Sequence, residues 1–378
     1  MDFLVHKKKN SFKWLTGLSV VVLSVLLFFG LRPKDFLFSN GVSRVEDQAG
    51  IRFKKYGIAY TDPIKELRKE GGFGENGFSI EIALKPSSSE KAFNFILTLH
   101  NGNDGNQLLL GQWRSWIIAM NGDDYNHKRR VKRISVNSAS MSSEKQFITL
   151  TTSKDGTNLY FNGRLVKSKN DLALDIPYGD KARLILGNSQ YGKHSWRGDV
   201  YGLAFFNHIL GAQDAALHFK RWSQDRNFSF AKKGNPFLLY YFDEEEGTRV
   251  SDHAGGDHNL NIPPRMPILK KELLSSPWEG FKLDKKGIED IVLNLVGFIP
   301  LGFVFTSTLV GVGGVFKKKA AFISLFFCFM VSLVIETAQA WLPSRSSSQL
   351  DLMCNTAGSV IGIMIGLWYL LKNEADNL

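Results

Sequence analysis

Cysteine is nearly absent from this chain, and that scarcity limits the possible folds. Only Cys328 and Cys354 occur among 378 residues, and both lie inside apolar segments. A small fold held together by a disulfide framework is therefore excluded. The eight histidines show no spacing typical of metal ligands, so we expect no metal site.

The chain also lacks the paired carboxylates of a glycoside hydrolase. A retaining enzyme needs two carboxyl groups about 5 Å apart. On one strand this requires an alternating Glu-x-Asp-x-Glu pattern, which the sequence does not contain. Residues 243–246 are four consecutive acidic residues. Because consecutive strand residues point to opposite faces, we interpret this run as an exposed turn.

Acidic residues are outnumbered by basic ones. The chain has 47 Lys and Arg against 36 Asp and Glu, a formal net charge of +11. This balance favours a membrane surface or an anionic polymer as a neighbour, and we expect no nucleic-acid partner. The densest basic run is HKRRVKR, residues 127–133. We interpret it as an exposed loop and strand edge, with binding of an anionic polymer or lipid headgroups as the alternative.

Long uncharged runs occur only at the two ends of the chain. The first, residues 14–31, is long enough to cross the hydrocarbon core of a membrane. Lys7, Lys8, Lys9 and Lys13 precede it, which predicts a cytoplasmic tail over residues 1–13. A cleaved signal peptide is the alternative. No small-x-small cleavage site follows, so we favour a transmembrane anchor over residues 14–31.

Three further apolar segments close the chain, at residues 291–316, 320–342 and 352–371. Three lysines, residues 317–319, fill the connection between the first two, and the positive-inside rule makes that connection cytoplasmic. Four transmembrane helices then place both termini in the cytoplasm and residues 32–289 outside.

The middle of the chain has the pattern of short strands. Stretches such as FSIEIALKP, residues 78–86, alternate apolar and polar residues. The dipeptides Asp155-Gly156 and Asn162-Gly163 flank TNLYF, as hairpin turns require. We therefore predict an all-β sandwich or jelly roll over residues 40–265. Residues 266–288 would link it to the membrane helices as a short ordered strap.

Several stretches of this region also carry a resemblance to a known family. SKDGTNLYFNGRLVKS, RGDVYGLAFFNHILGAQDAALHF and YYFDEEEGTRVSDHAGGDHNLNI resemble laminin-G-like, concanavalin A-like jelly rolls. The resemblance implies a fold more than a function. Domains of this kind bind glycans or protein partners, and some bind calcium.

Two kinds of binding residue follow from that resemblance. Trp113, Trp116 and Trp196 are candidates for stacking on sugars, with burial in the core as the alternative. The loops NGNDGN, residues 101–106, and NGDD, residues 121–124, have side-chain oxygens suited to calcium. Neither has the spacing of a recognised calcium loop, so we interpret both as turns and expect no cofactor.

The apolar segments at the end of the chain carry polar residues at one depth. Asp290 and Asn294 open one helix, and Asp351 and Asn355 open another with the same spacing of four. Charged groups in a membrane helix indicate a functional site by default. The predicted outward-facing ligand pocket has seven members: Asp290, Asn294, Glu336, Gln339, Arg345, Asp351 and Asn355.

Structural roles are the alternative for most of these residues. Asp290 and Asp351 have the chemistry of helix N-caps, and Asn294 and Asn355 that of interhelical hydrogen bonds. Glycines spaced by four, from Gly358 to Gly366, predict close helix packing. Caps and hydrogen bonds do not readily explain Glu336, which makes it the candidate catalytic residue.

The same residues carry a second resemblance. NLVGFIPLG, ETAQ and PSR…DLMCNTAG resemble motifs of the VanZ-like family, over residues 289–372. The resemblance implies a bacterial cell-envelope protein in the inner membrane. One departure is the Ser-rich stretch between Arg345 and Asp351, where family members often carry an acidic or aromatic residue. The family is named for a glycopeptide (teicoplanin) resistance protein, and the resemblance implies no mechanism.

Three functional hypotheses follow. In the first, the jelly roll binds an envelope glycan or protein and the pocket holds a membrane lipid headgroup or lipid-linked intermediate, with a possible effect on glycopeptide susceptibility. In the second, the protein is an enzyme in which Glu336 acts as general base and Arg345 binds a phosphate or carboxylate group. In the third, it is a scaffold for an envelope complex.

Overall fold

The structure is a computed structural model that divides the chain into two compact units. One unit is Leu37–Lys270, and the other combines Met1–Phe36 with Lys271–Leu378. The residues described are 13–32, 39–46, 48–67, 73–87, 92–138, 145–244, 246–270, 273–276, 285–342, 345 and 347–375. Most of the predicted tail (residues 1–12) and part of the predicted linker (residues 271–272 and 277–284) lie outside the described residues.

The β unit consists of sixteen strands in its described residues. Their bounds are β1 Val42–Arg44, β2 Ile51–Phe53, β3 Ala59–Thr61, β4 Phe78–Pro86, β5 Phe93–His100, β6 Leu108–Trp113, β7 Trp116–Asn121, β8 Arg133–Asn137, β9 Gln146–Ser153, β10 Gly156–Phe161, β11 Arg164–Lys169, β12 Arg183–Leu186, β13 Gly198–Phe206, β14 Leu238–Tyr240, β15 Arg249–Val250 and β16 Leu260–Asn261.

These strands form two antiparallel sheets. One has the order β1-β2-β13-β4-β9-β10-β11, with β14 also paired to β13. The other has the order β15-β16-β3-β12-β5-β6-β7-β8. Neighbours in the sheets are often far apart in sequence, as in the pairing of β13 with both β2 and β4. The predicted all-β sandwich is confirmed.

Strand β4 shows how the sequence pattern produces the layers. Ile80, Ile82 and Leu84 point into the core between the sheets. The alternate residues point to the opposite face, where Ala83 packs in a second cluster with Phe206 and Trp222. Helix α2 (Ala212–Asp225) supplies Trp222 to that cluster. The strand is therefore buried on both faces.

The two predicted hairpins form where the turn dipeptides stand. Ser153 pairs with Gly156 at the end of β9 and β10. Phe161 pairs with Arg164 across the next turn, and its two central residues, Asn162 and Gly163, have φ of 50° and 74°. Positive φ at both positions is the requirement of a type I′ turn, which Asn-Gly meets at low cost.

The second unit is helical. Its helices are α1 Lys13–Leu31, α3 Lys285–Gly311, α4 Lys317–Gln339 and α5 Gln349–Ala375. All four are long and apolar enough to cross a membrane. The predicted four membrane helices are thus present among the described residues.

Small residues let α3 and α5 approach closely. A Cβ at Gly358 would overlap the carbonyl oxygen of Leu295, and one at Gly362 would overlap that of Ile299. On α3, a Cβ at Gly302 would overlap the backbone of Ser359. Backbone contact of this kind is how membrane helices gain dispersion energy without a hydrophobic drive.

Helix α1 belongs to this unit and is more than a separate anchor. Leu23 and Leu26 pack against a cluster that contains Phe298 on α3 and Ile335 on α4. The sequence pattern predicts the membrane span of α1 but gives no indication of these contacts.

Candidate functional sites

The polar site of the helical unit begins at the N-terminus of α5. Ser348 precedes this helix, and its hydroxyl oxygen accepts hydrogen bonds from the backbone N–H groups of Leu350 (3.1 Å) and Asp351 (3.4 Å). Ser348 is thus the N-cap. The alternative interpretation of Asp351 as the cap does not hold, because the helix begins at Gln349 and Asp351 is its third residue.

Glu336 completes this cap from a different helix. Its Oε2 accepts a hydrogen bond of 2.8 Å from the backbone N–H of Ser348, and the residue is only 2% exposed. In a capping box the third helical residue supplies this acceptor. Here Glu336 of α4 takes that place, which also puts its carboxylate at the positive end of the α5 dipole.

The Asp351 side chain therefore has no part in the cap. Asp351 lies in the first turn of α5 and Asn294 in the N-terminal half of α3, and these two helices are in backbone contact. Asp290 is exposed and lies in the second turn of α3, which begins at Lys285. The alternative interpretation of Asp290 as an N-cap therefore does not hold either.

Asn355 lies one helical turn below Asp351 on the same face of α5. Its Nδ2 donates a 2.9 Å hydrogen bond to the hydroxyl of Ser332, one turn below Glu336 on α4. Asn355 is 2% exposed, and its Oδ1 has no hydrogen-bond partner among the described residues. The hydrogen-bonded pair of Asn355 and Ser332 thus lies one helical turn deeper in the helical unit than Asp351 and Glu336.

Two members of the predicted pocket bind the end of α1. Gln339 donates a 2.8 Å hydrogen bond to the carbonyl oxygen of Gly30. The Arg345 guanidinium donates to the carbonyl oxygens of Phe29 (2.9 Å) and Arg32 (3.2 Å). These carbonyls lie at a helix C-terminus, where cations and donors are favoured.

The described part of the linker covers the loop before α5. Leu274 donates its N–H to the Ser347 hydroxyl at 3.0 Å, and Ser275 donates its N–H to the Ser347 carbonyl at 3.0 Å. Gln349 donates in return to the Ser275 carbonyl at 3.1 Å. These bonds hold the loop that carries the N-cap, Ser348.

The seven predicted pocket residues thus separate into two groups. Asp290 and Asn294 lie on α3 and Asp351 lies on α5, two helices in backbone contact, and Glu336 bonds to the loop before α5 through the Ser348 N–H. Gln339, Arg345 and Asn355 make hydrogen bonds between helices or to the end of α1. We call the first group together with Asn355 the carboxylate cluster: Asp290, Asn294, Glu336, Asp351 and Asn355.

In the β unit, two of the three candidate tryptophans are accessible. Trp113 and Trp116 are directly opposite residues at the tip of the β6–β7 hairpin and are 38% and 37% exposed. Directly opposite residues share one face of a sheet. The Arg114 guanidinium lies 4.8 Å from the Trp113 ring centroid. The pair provides an aromatic platform at the edge of the hairpin.

Trp196 is a correction to the predicted sugar-stacking residues. It is 1% exposed, its Nε1 donates a 2.6 Å hydrogen bond to Gln112, and its ring lies 6.1 Å from that of Phe53. Its ring faces are in the core and are not available to a sugar. The pattern around it does not distinguish a core tryptophan from a surface one.

A polar cleft of about 790 Å³ opens near the two predicted turns, residues 101–106 and 121–124. Its lining includes Asn101, Asn106, Asn121, Asp175 and Tyr178. The Asn101 amide donates to the Tyr178 carbonyl at 2.7 Å, and Asn121 exchanges hydrogen bonds with the Asp175 backbone at 2.8 and 2.9 Å. These amides hold the loops in place. The sequence predicted the turns but not the cleft.

All three carboxylates of the two turns considered for calcium, those of Asp104, Asp123 and Asp124, have protein partners. Asp104 accepts from Gln190 (2.5 Å), Lys270 (3.0 Å) and the hydroxyl of Tyr191, and it contacts His100 at 2.8 Å. Burial alone would raise the pKa of Asp104, but these hydrogen bonds outweigh it and hold the pKa well below its usual range.

Asp124 organises the basic run in a similar way. Its carboxylate accepts from the backbone N–H groups of Arg129 (3.2 Å) and Val131 (3.0 Å) and from Arg133 (3.3 Å). Burial opposes the shift, but these hydrogen bonds and the arginine charges lower the pKa of Asp124. The run is a loop held by this aspartate, followed by β8.

A further group of ligand-type side chains lies elsewhere in the β unit. Asp243, Glu244 and His253 bring one potential ligand atom each within 4.8 Å of one another. Protein partners engage them: Glu244 accepts from the Ser251 N–H at 2.5 Å, and His253 lies 3.5 Å from Asp243. Histidine spacing did not indicate this group, because its members come from two different segments.

A buried polar network under α2 was also missed. Glu81 on β4 is fully buried, contacts His218 on α2 at 2.9 Å and accepts a 2.9 Å hydrogen bond from Thr149. Burial raises the pKa of Glu81, and the contact with His218 opposes that change. In the sequence, Glu81 lies inside an apolar strand, and this position is what indicates a buried and paired carboxylate.

Comparisons with known proteins give two family matches. Residues 64–216 match the model described as the concanavalin A-like lectin/glucanases superfamily. Residues 237–371 match the model described as VanZ/LLP1. The second match begins before the end of the β unit at Lys270, so it includes strands β14, β15 and β16 in addition to the helices.

Solved structures resemble the chain only distantly. The receptor binding domain of botulinum neurotoxin mosaic serotype C/D is 16% identical with a TM-score of 0.37, covering 48% of this chain and 44% of that one. A Bacteroides ovatus ATCC 8483 protein provisionally described as carbohydrate-binding is 14% identical with a TM-score of 0.37, covering 60% and 58%.

The botulinum neurotoxin serotype D ligand binding domain, solved with N-acetylneuraminic acid, is 18% identical with a TM-score of 0.36, covering 50% and 45%. The chain therefore spans about half the length of these structures. TM-scores of this size carry no argument about function. The comparison with curated proteins gave no match.

Proposed function

Because this chain joins a concanavalin A-like domain to a VanZ-like membrane domain, we propose that it is a bacterial inner-membrane protein that binds a lipid headgroup or lipid-linked intermediate. The helical unit holds the ligand at the carboxylate cluster. The β unit recognises a glycan or protein of the cell envelope.

One observation carries the proposal for the helical unit. Residues from three helices, α3, α4 and α5, bring the side chains of Asn294, Glu336 and Asp351 toward one end of the unit, where α3 and α5 are in backbone contact and Glu336 bonds to the residue before α5. Carboxylates in apolar helices are costly unless they are paired or bind something. The helix cap formed by Glu336 accounts for one carboxylate, and no cap accounts for those of Asp290 and Asp351.

The charge pattern of the connections supports an orientation. Lys317–Lys319 are the first residues of α4, at the end that follows α3, which favours a cytoplasmic side for that end. The carboxylate cluster lies at the opposite end of α4 and therefore faces outward, with both termini in the cytoplasm. A cysteine placed at Ser251 of the β unit would then react with a membrane-impermeant maleimide in intact cells.

The exposed aromatic platform supports glycan binding by the β unit. Trp113 and Trp116 offer ring faces at the end of a hairpin, beside the charge of Arg114. Aromatic rings of this kind combine a large apolar contact with a rigid position. Loss of glycan binding after Trp113→Ala is the expected signature.

The test of the headgroup site is native mass spectrometry of the purified full chain in detergent, with wild type beside Glu336→Gln. Glutamine keeps an oxygen acceptor for the Ser348 N–H and removes only the charge. We expect retained lipid in the wild type and about a tenfold loss in the variant, which corresponds to about 1.4 kcal/mol. An effect on glycopeptide susceptibility belongs to the same proposal and would be lost with the lipid.

Thr337→Val is the matched control. Thr337 is the next residue along α4, is exposed, and donates a 2.7 Å hydrogen bond to the Leu333 carbonyl of its own helix. It should retain lipid as the wild type does. If Glu336→Gln retains the same lipid as the wild type at equal stability, Glu336 acts only as a helix cap and the headgroup site is refuted.

A further inference from the structure

A second cleft of the β unit is lined by basic side chains. It has a volume of about 460 Å³ and lies where strands β2 and β4 end and β13 begins. We call it the basic cleft. A concave surface lined by one sign of charge concentrates ligands of the opposite sign. Its described lining has five cations and one carboxylate, a net charge of +4 from five minus one: Arg52, Lys54, Lys55, Lys85 and Arg197 against Asp199.

The strand register brings three of these charges onto one face of a sheet. Asp199 on β13 lies directly opposite both Arg52 on β2 and Lys85 on β4, and directly opposite residues share a face. Phe53, the next residue on β2, points the other way into the core. The sequence does not indicate this row, because Arg52 and Asp199 are 147 positions apart.

The basic charges continue just beyond the strands. Lys54 follows β2 and Arg197 precedes β13, so each is two positions from a member of the first row and shares its face. Both residues are exposed. Ser87 donates its N–H to the Arg197 carbonyl oxygen at 3.1 Å and also lines the cleft. The accessible end of the cleft therefore offers charged donors together with a hydroxyl.

The carboxylate of Asp199 is held within the sheet. Arg52 donates to it twice, from Nε to Oδ1 at 2.7 Å and from one terminal nitrogen to Oδ2 at 3.0 Å. The Tyr201 hydroxyl donates to Oδ2 at 3.3 Å, and Asp199 is 7% exposed. A bidentate pair of this kind fixes the orientation of the guanidinium. The net charge of the lining is thus carried by its three lysines and Arg197.

We propose that the basic cleft binds a phosphate group carried on a sugar, an inference that rests on the proposed recognition of an envelope glycan by the β unit. Each lysine has three N–H donors and Arg197 has five, more than the two oxygens of one carboxylate can accept. A phosphate monoester presents three strong acceptor oxygens and a charge of about −1.5 to −2. A cleft of about 460 Å³ is in the size range of small-ligand pockets, about 300–1,000 Å³, and has room for the attached sugar.

The experiment measures binding of three dextrans of equal length to the full chain in detergent. One is unsubstituted, one is phosphorylated, and one is carboxymethylated to the same degree. Binding is followed by biolayer interferometry at physiological salt, where weak long-range attraction is screened. We expect the phosphorylated dextran to bind about tenfold more tightly than the carboxymethylated one, and the unsubstituted dextran to bind more weakly still. Equal binding of the two charged dextrans would overturn the assignment of phosphate.

Variants of the cleft test where the phosphate binds. Lys54→Gln and Arg197→Gln should each weaken binding of the phosphorylated dextran about tenfold, because each removes a charge-assisted hydrogen bond. Lys167→Gln is the matched control. It removes the same charge from an exposed position on β11, three strands from β4 in the same sheet, and should change binding by less than about twofold. If it weakens binding as much as Lys54→Gln does, the overall charge of the chain is responsible and the cleft is overturned as the site.

Two soluble competitors identify the carrier of the phosphate. Glucose 6-phosphate has a sugar ring, whereas glycerol 3-phosphate has only the glycerol and phosphate of a lipid headgroup. Displacement of the phosphorylated dextran at about tenfold lower concentration by glucose 6-phosphate supports a glycan as the source. Equal displacement by the two compounds would overturn the sugar as the carrier.

Failure of this inference is distinguishable from failure of the proposed glycan recognition. That recognition is tested by Trp113→Ala on the β6–β7 hairpin, which belongs to the other sheet. If Trp113→Ala loses an envelope glycan, but Lys54→Gln and Arg197→Gln bind phosphorylated dextran as the wild type does, glycan recognition stands and the phosphate site is overturned. If the cleft variants lose phosphorylated dextran while no envelope glycan binds the wild type, the phosphate site stands and the proposed glycan recognition fails.

Discussion

Protonation of His194 should destabilise the β unit in mild acid. The ring stacks on Phe95 with centroids 4.8 Å apart and lies 5.0 Å from Tyr125, and its Nδ1 is 3.1 Å from the Ser189 hydroxyl. Burial, together with the nearby charge of Lys193, lowers the pKa of His194 to about 4. The folded protein therefore keeps this ring neutral at pH values where the unfolded chain is protonated.

The magnitude follows from linkage. The folded pKa lies below the unfolded value of about 6.5, so the unfolded chain binds more protons between these values and stability falls as the pH falls. Between pH 8 and pH 5 the free energy of unfolding should fall by about 2 kcal/mol. Well below pH 4 the total loss should reach about 3.4 kcal/mol. Above pH 7 the contribution of His194 should be nearly constant.

The assay is urea unfolding of the full chain in detergent at pH 8 and pH 5, read by pulsed hydrogen exchange on peptides from β13. This strand is buried along its whole length and reports on the β unit alone. The urea midpoint of the wild type should fall by roughly 1 M between the two pH values. His194→Phe keeps a flat ring against Phe95 and cannot be protonated, so its free energy of unfolding should fall about 2 kcal/mol less than that of the wild type between the two pH values.

His127→Asn is the control. The His127 side chain is 56% exposed, and its φ of 58° is tolerated by asparagine. This variant should keep the pH dependence of the wild type. If His194→Phe loses as much stability at pH 5 as the wild type does, the buried neutral histidine is not the cause and the reasoning is refuted.

Two further predictions concern the aromatic platform and the helix contact. Trp113→Ala should weaken binding to an envelope glycan five- to tenfold, about 1 to 1.4 kcal/mol, on a glycan array. Leu165→Ala, at a 54% exposed position, should not weaken it, and equal binding by both variants would remove the platform from the site. Gly358→Ala should lower stability by about 1–3 kcal/mol in thermal unfolding, because its Cβ would overlap the Leu295 carbonyl. Gly17→Ala has open space and should be neutral, and an unchanged Tm in both would disprove close packing there.

Local features of the fold were predictable because they depend on residues close in sequence. The alternation of FSIEIALKP predicts β4, and Asn162-Gly163 predicts a turn with positive φ. The uncharged segments predict four membrane helices, since length and hydropathy alone decide whether a helix can span. Gly358 and Gly362 predict close helix packing from their spacing.

The environment of single residues was less predictable. Trp196 and Trp113 have similar polar neighbours in sequence, yet one is core and the other is exposed. Glu81 and His218 are separated by 137 positions, and their pairing depends on how α2 covers β4. Hydrophobic periodicity cannot assign such contacts, because it describes one element at a time.

The sequence by itself therefore determined the strands and their turns, the four apolar helices and the set of polar residues at one end of them. The tertiary structure alone decided what each polar residue does. Ser348, and not Asp351, caps α5, and Glu336 accepts a hydrogen bond from the backbone N–H of Ser348. Arg345 donates to a carbonyl oxygen at the end of α1. These choices depend on which helix ends meet, because a backbone group left free at one helix end accepts whichever partner the packing brings within hydrogen-bond distance.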